Sequence, residues 1–253
     1  MSLDVDLRAV RTLLCDADGN LFPSEEPAYE ASVDVVNRLM EAIGAPRRFE
    51  AEELRRSGTG KNFRTLAGEL AREYGASLSD AELDDWVAEE KRAVSDHLSA
   101  VLEPDAEVVE VLTRLSDRYE LAAVSSSALS RIDACFAVTG LAELLPPERR
   151  FSAEDSLPRP TSKPDPAVYR AAAARLGIEA AEGLAIEDSP TGALSAVGAG
   201  FPTVGNLRFV AADERDERRE ELVSAGVFAV VSSWRELEEL LARAPARAGK
   251  AVS

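Results

Sequence analysis

The second part of the chain alternates short apolar segments with helical patterns, and this alternation constrains the fold more than any other feature. From about Glu103 onward, apolar segments end near Val124, Ser152, Ile186, Gly205 and Val231. Helical patterns separate them at about 104–117, 128–138, 165–176, 191–199 and 233–242. Strands that alternate with helices predict a parallel sheet with right-handed crossovers. The sequence therefore predicts an α/β fold.

A first apolar segment, Thr12–Leu14, stands apart from this alternating part. Between about residues 24 and 99 the pattern is helical throughout, with candidate helices at 24–44, 50–56, 61–74 and 79–99. Four helices can form a small bundle. We therefore predict a catalytic core made of residues 1–22 and 100–253, and a helical domain inserted over residues 23–99. An insertion directly after the first strand would act as a lid on a site at that strand's end.

Two carboxylates follow the first apolar segment, in Asp16-Ala17-Asp18-Gly19. Ligands of open α/β sheets bind at the carboxyl edge of the strands, where these acids would lie. Two adjacent like charges repel unless a cation or a proton intervenes, so a divalent metal is one interpretation. The alternative is an ordinary turn, because Asp and Gly are common turn residues.

Other polar residues follow later strands. The second predicted strand ends in Ser125 and Ser126, a later one ends in Glu187-Asp188, and Lys163 lies just before Pro164, which we interpret as an early helix position. Each has a plain alternative: serines that cap the next helix, a surface lysine, and acids at a helix start. Their occurrence together at one sheet edge favours a site for Mg²⁺ and a phosphoryl group.

Composition excludes several classes of partner. The formal charge of -17 argues against nucleic acid and against anionic membranes, and we expect neither as a partner. No apolar run is long enough to span a bilayer, and the amino terminus lacks a signal-peptide pattern. The two cysteines, Cys15 and Cys135, are expected to be buried free thiols. These features favour a reducing, cytoplasmic setting.

Three motifs together resemble those of the haloacid dehalogenase superfamily. They are Asp16-Ala17-Asp18-Gly19, Ser162-Lys163-Pro164-Asp165-Pro166 and Ile186-Glu187-Asp188-Ser189-Pro190-Thr191-Gly192. The resemblance is to the β-phosphoglucomutase-like subgroup of sugar-phosphate phosphatases and mutases, and it covers the chain except its two ends. It implies a Rossmann-like parallel sheet core with an inserted four-helix cap. Asn20 is a departure, since the family usually has Thr there, but an amide can also donate a hydrogen bond.

The resemblance also implies catalytic roles. Asp16 would attack phosphorus and form an aspartyl-phosphate. Asp18 would protonate the leaving oxygen and later deprotonate the attacking water. Ser125 and Lys163 would hold the transferring phosphoryl oxygens, and Ser126 is assigned to substrate binding.

The cofactor implied by the resemblance is Mg²⁺. Its ligands would be Asp16, the backbone carbonyl of Asp18 and Asp188, with Glu187 as a ligand or a supporting residue. Charge neutralisation and in-line positioning are how phosphoryl transfer is accelerated.

The expected reaction is hydrolysis of a small phosphorylated metabolite, with a sugar-phosphate mutase as the alternative. β-Phosphoglucomutase carries a histidine at the cap entry, where this chain has Ala28, and the single histidine, His97, is expected to be structural. A non-catalytic phosphate-binding module is a third candidate. Relatives with this cap are commonly monomers, so we expect a monomer.

Substrate choice is assigned to the cap. The segment Ser57 to Arg64 is glycine-rich and basic, and Lys61, with Arg64, is predicted to contact the polar or anionic end of the substrate. The alternative is a glycine-broken helix turn whose basic residues face solvent.

Overall fold

The structure is a computed structural model that describes residues 6–58 and 63–243, except for the side chains of residues 56–58. Its central feature is a six-stranded sheet in the order β3-β2-β1-β4-β5-β6. The strands are β1 (Thr12–Cys15), β2 (Glu120–Ser125), β3 (Arg150–Ser152), β4 (Gly183–Glu187), β5 (Thr203–Asn206) and β6 (Ala229–Val231). All neighbouring strands are parallel. The predicted α/β fold is confirmed.

Six helices of the alternating part accompany the sheet. They are α5 (Ala106–Ser116), α6 (Leu129–Val138), α7 (Ala167–Leu176), α8 (Pro190–Gly198), α9 (Arg215–Ser224) and α10 (Trp234–Arg243), with short 3₁₀ turns at Leu7–Ala9, Pro147–Arg149 and Ala180–Glu182. The prediction that Pro164 is an early helix position is wrong. Asp165 donates its backbone N–H to the carbonyl of Ser162 in a turn, the Lys163–Pro164 peptide is cis, and α7 begins only at Ala167.

Strand β1 lies at the centre of the sheet because its residues are apolar enough to be covered on both sides. Leu13 and Leu14 point to opposite faces of the strand, and both are fully buried. The chain moves outward from β1 through β2 to β3, and then returns to β4 on the other side of β1. This reversal of strand order is the topological switch point, where open α/β sheets bind ligands.

The described residues between β1 and α5 form four helices, as predicted. They are α1 (Glu25–Ala42), α2 (Ala51–Gly58), α3 (Phe63–Glu73) and α4 (Asp80–Val101). Helices α1, α2 and α3 contribute to an apolar core that includes Val36, Leu54 and Leu70. Helix α4 packs against α1 and α3. A capping box between Ser79 and Glu82 starts α4.

The chain folds into two compact units. One consists of residues 1–23 and 103–253, and the other of residues 24–102. The assignment of these units as catalytic core and cap remains a prediction. Among the described residues, no helix is both long enough and apolar enough to cross a membrane.

Candidate active site

The ends of β1 and β4 bring two acids together. Cys15 lies opposite Ile186 in the parallel ladder, and Asp16 donates its backbone N–H to the carbonyl of Ile186 over 2.9 Å. Glu187 is the last residue of β4 and is fully buried, and Asp188 follows it at 3% exposure. The register of the two strands thus places Asp16 beside Glu187 and Asp188.

Lys163 connects this group to β2. Its Nζ donates to Asp16, to Oε1 of Glu187 over 2.6 Å and to the carbonyl of Val124 over 2.8 Å. The hydroxyl of Ser126 accepts the backbone N–H of Lys163 over 3.0 Å. The Lys163 side chain is only 5% exposed, so the alternative of a surface lysine is wrong.

Asp16, Glu187 and Asp188 form an acidic group that could hold a metal ion. One carboxylate oxygen from each lies within 4.8 Å of the others. Two glycines leave room for these carboxylates. A Cβ on Gly19, which has φ +76°, would lie 2.4 Å from Oδ2 of Asp188, and a Cβ on Gly192 would lie 1.8 Å from Oε2 of Glu187.

The acids of this group carry more negative charge than Lys163 can balance. Burial raises the pKa of Asp16 to about 8, although the neighbouring ammonium of Lys163 opposes the shift. Burial also raises the pKa of Glu187, against the opposing effects of Lys163 and Tyr169. Burial alone would lower the pKa of Lys163, but Asp16 and Glu187 raise it above its ordinary value. A bound cation would relieve this excess of negative charge.

Asp18 has different partners from Asp16. Its Oδ2 accepts hydrogen bonds from Ser127 Oγ over 2.8 Å and from Ser125 Oγ over 3.2 Å, and its Oδ1 accepts one from Arg131 over 3.0 Å. Both Asp16 and Asp18 lie in the loop after β1, which ends at Cys15. The Asp18 side chain is outside the acidic group described above. The assignment of its backbone carbonyl as a metal ligand remains a prediction.

The serines at the carboxyl end of β2 do not cap helix α6. Its N-cap residue is Ala128, which makes no side-chain capping hydrogen bond, and the N–H of Leu129 donates to Asp155 instead. The hydroxyl of Ser125 accepts the N–H of Ser127 over 2.9 Å and donates to Asp18. The capping alternative is therefore wrong.

Comparison with known proteins identifies the family. A family model described as a haloacid dehalogenase-like hydrolase matches residues 10–200. The chain belongs to this family. Validoxylamine A 7'-phosphate phosphatase of Streptomyces hygroscopicus subsp. limoneus is 30% identical to this haloacid dehalogenase-like hydrolase over 198 residues, which are 77% of this chain and 84% of that relative.

Solved structures of other haloacid dehalogenase-like proteins share the fold. A family hydrolase of Deinococcus radiodurans R1, solved with bound phosphate and sodium, is 24% identical with a TM-score of 0.66 over 94% of this chain and 97% of that one. A β-phosphoglucomutase-like protein of Thermotoga maritima is 22% identical with a TM-score of 0.67 over 93% of this chain and all of that one (100%).

Asn20, the departure from the family pattern, lies in a buried hydrogen-bond network. Its side-chain amide donates to the carbonyls of Asp16 over 2.9 Å and Ile186 over 3.3 Å. Its Oδ1 accepts from Asn206 over 2.9 Å, and its own carbonyl accepts the indole N–H of Trp234 over 3.2 Å. The amide thus acts as the donor that the sequence predicted, and it joins the loop after β1 to β4, β5 and α10.

The residues assigned to the helical insertion can be described only in part. Lys61 lies outside the described residues. Arg64 forms an ion pair with Asp84, and both belong to residues 24–102. His97 Nε2 lies 3.2 Å from a carboxylate oxygen of Glu30 in the same unit. Substrate contacts by Lys61 and Arg64 remain predictions.

Sequence reasoning missed three residues of this haloacid dehalogenase-like site. Ser127 and Arg131 contact Asp18, and Tyr169 Oη donates to Oε1 of Glu187 over 2.5 Å. Arg131 had a signal in the sequence, since a cation in the first turn of a helix opposes the macrodipole. Tyr169 had none, because a tyrosine on an apolar helix face reads as a core residue.

The two cysteines are as the sequence predicted. Cys15 and Cys135 are both buried free thiols. Burial raises the pKa of both thiols, to about 12 for Cys135. Neither thiol is therefore suited to act as a nucleophile.

Proposed function

We propose that this protein is a Mg²⁺-dependent phosphatase of small phosphate monoesters, among them sugar phosphates. The observation that carries the proposal is the meeting of Asp16, Lys163, Glu187 and Asp188 at the switch point of the sheet. The relative from Streptomyces, by its name, is a phosphatase of a phosphorylated metabolite, and this supports the same class of reaction here. We also propose that the protein acts as a cytoplasmic monomer.

Asp16 is the proposed nucleophile. Its carboxylate would attack phosphorus and form an aspartyl-phosphate, while the ester oxygen leaves with the electron pair of the P–O bond. Lys163 would hold the phosphoryl oxygens and keep Asp16 in place through the contact between their side chains. Ser125 and Ser126 would supply further hydroxyl donors to the phosphoryl group.

Asp18 is the proposed acid and base. As an acid it would donate a proton to the leaving oxygen, and as a base it would remove a proton from the water that hydrolyses the aspartyl-phosphate. Its position beside Ser125 supports this role, because Ser125 is also the proposed phosphoryl contact.

The donor set fits Mg²⁺. Asp16, Asp188 and Glu187 offer carboxylate oxygens, which Mg²⁺ prefers. Oε2 of Glu187 is buried and has no hydrogen-bond partner in the described part of the chain, which fits a role as a metal ligand. The backbone carbonyl of Asp18 is the proposed fourth ligand. The ion would supply charge neutralisation for the phosphoryl group and for the acids around it.

The proposal is tested by phosphate release from a panel of phosphorylated metabolites, with Mg²⁺ and with a chelator. We expect Mg²⁺-dependent release, and Asp16→Asn should lower kcat by at least about 1,000-fold because the nucleophile is lost. The matched control is Asp213→Asn, which removes an exposed carboxylate and should leave turnover unchanged.

Two other outcomes would replace the proposal. The same panel includes β-glucose 1-phosphate with a bisphosphate primer and a readout for glucose 6-phosphate. Isomerisation without net phosphate release would make the protein a mutase. Phosphate binding without turnover of any ester would make it a non-catalytic module. Within the panel, Lys61 and Arg64 are the proposed contacts to the part of the substrate beyond the phosphate.

A further inference from the structure

Arg131 lies in the first turn of α6 and reaches a residue far away in the sequence. It is the third residue of the helix, and its guanidinium donates to Oδ1 of Asp18, 113 residues earlier in the chain. The two side chains are 26% and 17% exposed, so the ion pair is largely shielded from water. The contact therefore constrains both side chains more than an exposed surface pair would.

Local preferences do not favour an arginine at this position. A helix amino terminus carries a partial positive charge, and a cation in the first turn is repelled by it. No acidic residue in the first turn of α6 compensates, and the N-cap residue Ala128 makes no side-chain capping hydrogen bond. A residue that breaks a local rule in this way is often found at a functional site.

The direction of the hydrogen bonds determines how the Asp18 carboxyl group is oriented. A guanidinium has donors only, so Oδ1 of Asp18 must accept from Arg131. Oδ2 lies between the hydroxyls of Ser127 and Ser125, each of which can accept as well as donate. Oδ2 is therefore the oxygen whose surroundings allow a proton to be exchanged.

We propose that Arg131 is a positioning residue for Asp18, and that it rotates the carboxyl group so that Oδ2 lies beside Ser125. This inference rests on the proposed function, in which Asp18 is the acid and base at the phosphoryl group. In this assignment Arg131 contacts the carboxyl group of Asp18, not the backbone carbonyl that is proposed as a metal ligand. Its effect on the reaction passes through Asp18.

The inference makes a prediction that separates positioning of the acid from binding of the substrate. Protonation by Asp18 matters most when the leaving group is a poor one. A series of substituted phenyl phosphates varies the basicity of the leaving phenolate while the bound shape stays nearly constant. The value of kcat/KM reports the steps up to formation of the aspartyl-phosphate, so hydrolysis of that intermediate does not enter.

For Arg131→Gln we expect kcat/KM to fall by about tenfold or more for phenyl phosphate, and by less than about threefold for 4-nitrophenyl phosphate. In Arg131→Gln, the dependence of kcat/KM on leaving-group basicity should become steeper and approach that of Asp18→Asn. Arg131→Lys, which keeps the charge, should restore part of the loss. Arg149→Gln is the matched control, because Arg149 pairs with Glu120 on the surface of the same unit.

Each other result overturns the inference. An equal loss of kcat/KM for every ester in the series would indicate that Arg131 acts in substrate binding or in folding. Wild-type values of kcat/KM in Arg131→Gln would show that Arg131 has no role in the reaction. Thermal unfolding of Arg131→Gln shows whether the variant loses folded protein in general. Such a loss would lower the apparent kcat/KM equally for every ester in the series. If the wild-type protein releases phosphate neither from these esters nor from the metabolite panel, the proposed function fails as well. Wild-type turnover combined with an unchanged dependence on leaving-group basicity in Arg131→Gln overturns this inference alone.

Discussion

At the scale of single residues, the candidate site is built around Lys163. Its buried ammonium contacts two carboxylates, Asp16 and Glu187, and one carbonyl. A buried charge without partners is costly, so each contact stabilises the ammonium and also fixes the carboxylate on the other side. Tyr169 extends this group, since its hydroxyl donates to the same oxygen of Glu187 as Lys163 does.

Tyr169→Phe should therefore weaken both stability and catalysis. The substitution removes one hydrogen bond to the fully buried carboxyl group of Glu187, a loss of about 1–3 kcal/mol in the free energy of unfolding. We expect kcat to fall by about threefold to tenfold as Glu187 and Lys163 lose their fixed geometry. Urea unfolding and steady-state kinetics with the best substrate of the panel provide the two measurements.

Tyr119→Phe is the control for this substitution. The hydroxyl of Tyr119 accepts a long hydrogen bond of 3.4 Å from Arg118, and the residue precedes β2 at the opposite end of that strand from the site. Its loss should change stability by less than about 0.5 kcal/mol. Equal effects of the two substitutions would show that the hydroxyl of Tyr169 has no special role.

At the scale of elements, the junction between β4 and α8 combines helix entry with the candidate metal site. Ser189 caps α8 by accepting the N–H of Gly192 over 3.1 Å, and Pro190 occupies the first helical position. The interpretation of this motif as a helix start is thus confirmed, and its interpretation as part of a metal site stays a prediction. The first turn of α8 faces Glu187 so closely that residue 192 can have no side chain.

Gly192→Ala should destabilise the protein although it improves helix propensity. Alanine in place of glycine within a helix stabilises by up to about 1 kcal/mol. The new Cβ, however, would lie 1.8 Å from Oε2 of Glu187, and overpacking of this kind costs about 1–3 kcal/mol. We expect a net loss of stability and a loss of Mg²⁺-dependent turnover, measured by urea unfolding and by phosphate release.

Gly198→Ala in the same helix is the matched control. A Cβ at this position meets the Pro166 side chain at 3.7 Å, an ordinary van der Waals contact. We expect unchanged turnover and a stability equal to or above that of the wild type. A Gly192→Ala protein as stable and active as this control would contradict the close approach of α8 to Glu187.

At the scale of the whole molecule, acidic charge dominates. The chain carries a formal charge of -17, and part of the excess is buried at the switch point of the sheet. The folded state must therefore either retain a proton at this point or bind a cation. This requirement links the stability of the molecule to both pH and Mg²⁺.

In the presence of a chelator, stability should fall as pH rises from about 5 to 8. Burial raises the pKa of Asp16 from 3.8 to about 8, so between these values the folded state binds more protons than the unfolded state. Stability then decreases with rising pH. Mg²⁺ at about 100 times its dissociation constant should add about 2.7 kcal/mol, most clearly near pH 8.

Thermal unfolding across this pH range, with chelator and with Mg²⁺, measures both effects. Asp16→Asn should flatten the pH dependence, whereas Asp213→Asn, at an exposed position, should leave it as in the wild type. A chelated wild-type protein whose stability does not fall from pH 5 to 8 relative to Asp16→Asn would contradict the shift at Asp16.

The sequence alone was enough to predict the main helices and strands of this protein and the candidate site residues at the ends of the strands. The alternation of apolar and helical patterns predicted the parallel sheet. The polar residues at the ends of three of its strands indicated Asp16, Ser125, Glu187 and Asp188 as candidate site residues. These signals are local, since hydrophobic period and strand ends depend on neighbours in the chain. Helix starts were less certain, as the turn before α7 shows.

Only the tertiary structure decided which side chains meet. Lys163 could have been a surface residue, and the serines after β2 could have been helix caps. Arg131 and Tyr169 reach the site through contacts with Asp18 and Glu187 that no local pattern encodes. Such pairs depend on how helices pack against the sheet. Long-range packing, and not the local sequence, therefore determined the surroundings of the candidate acid and of the candidate metal ligands.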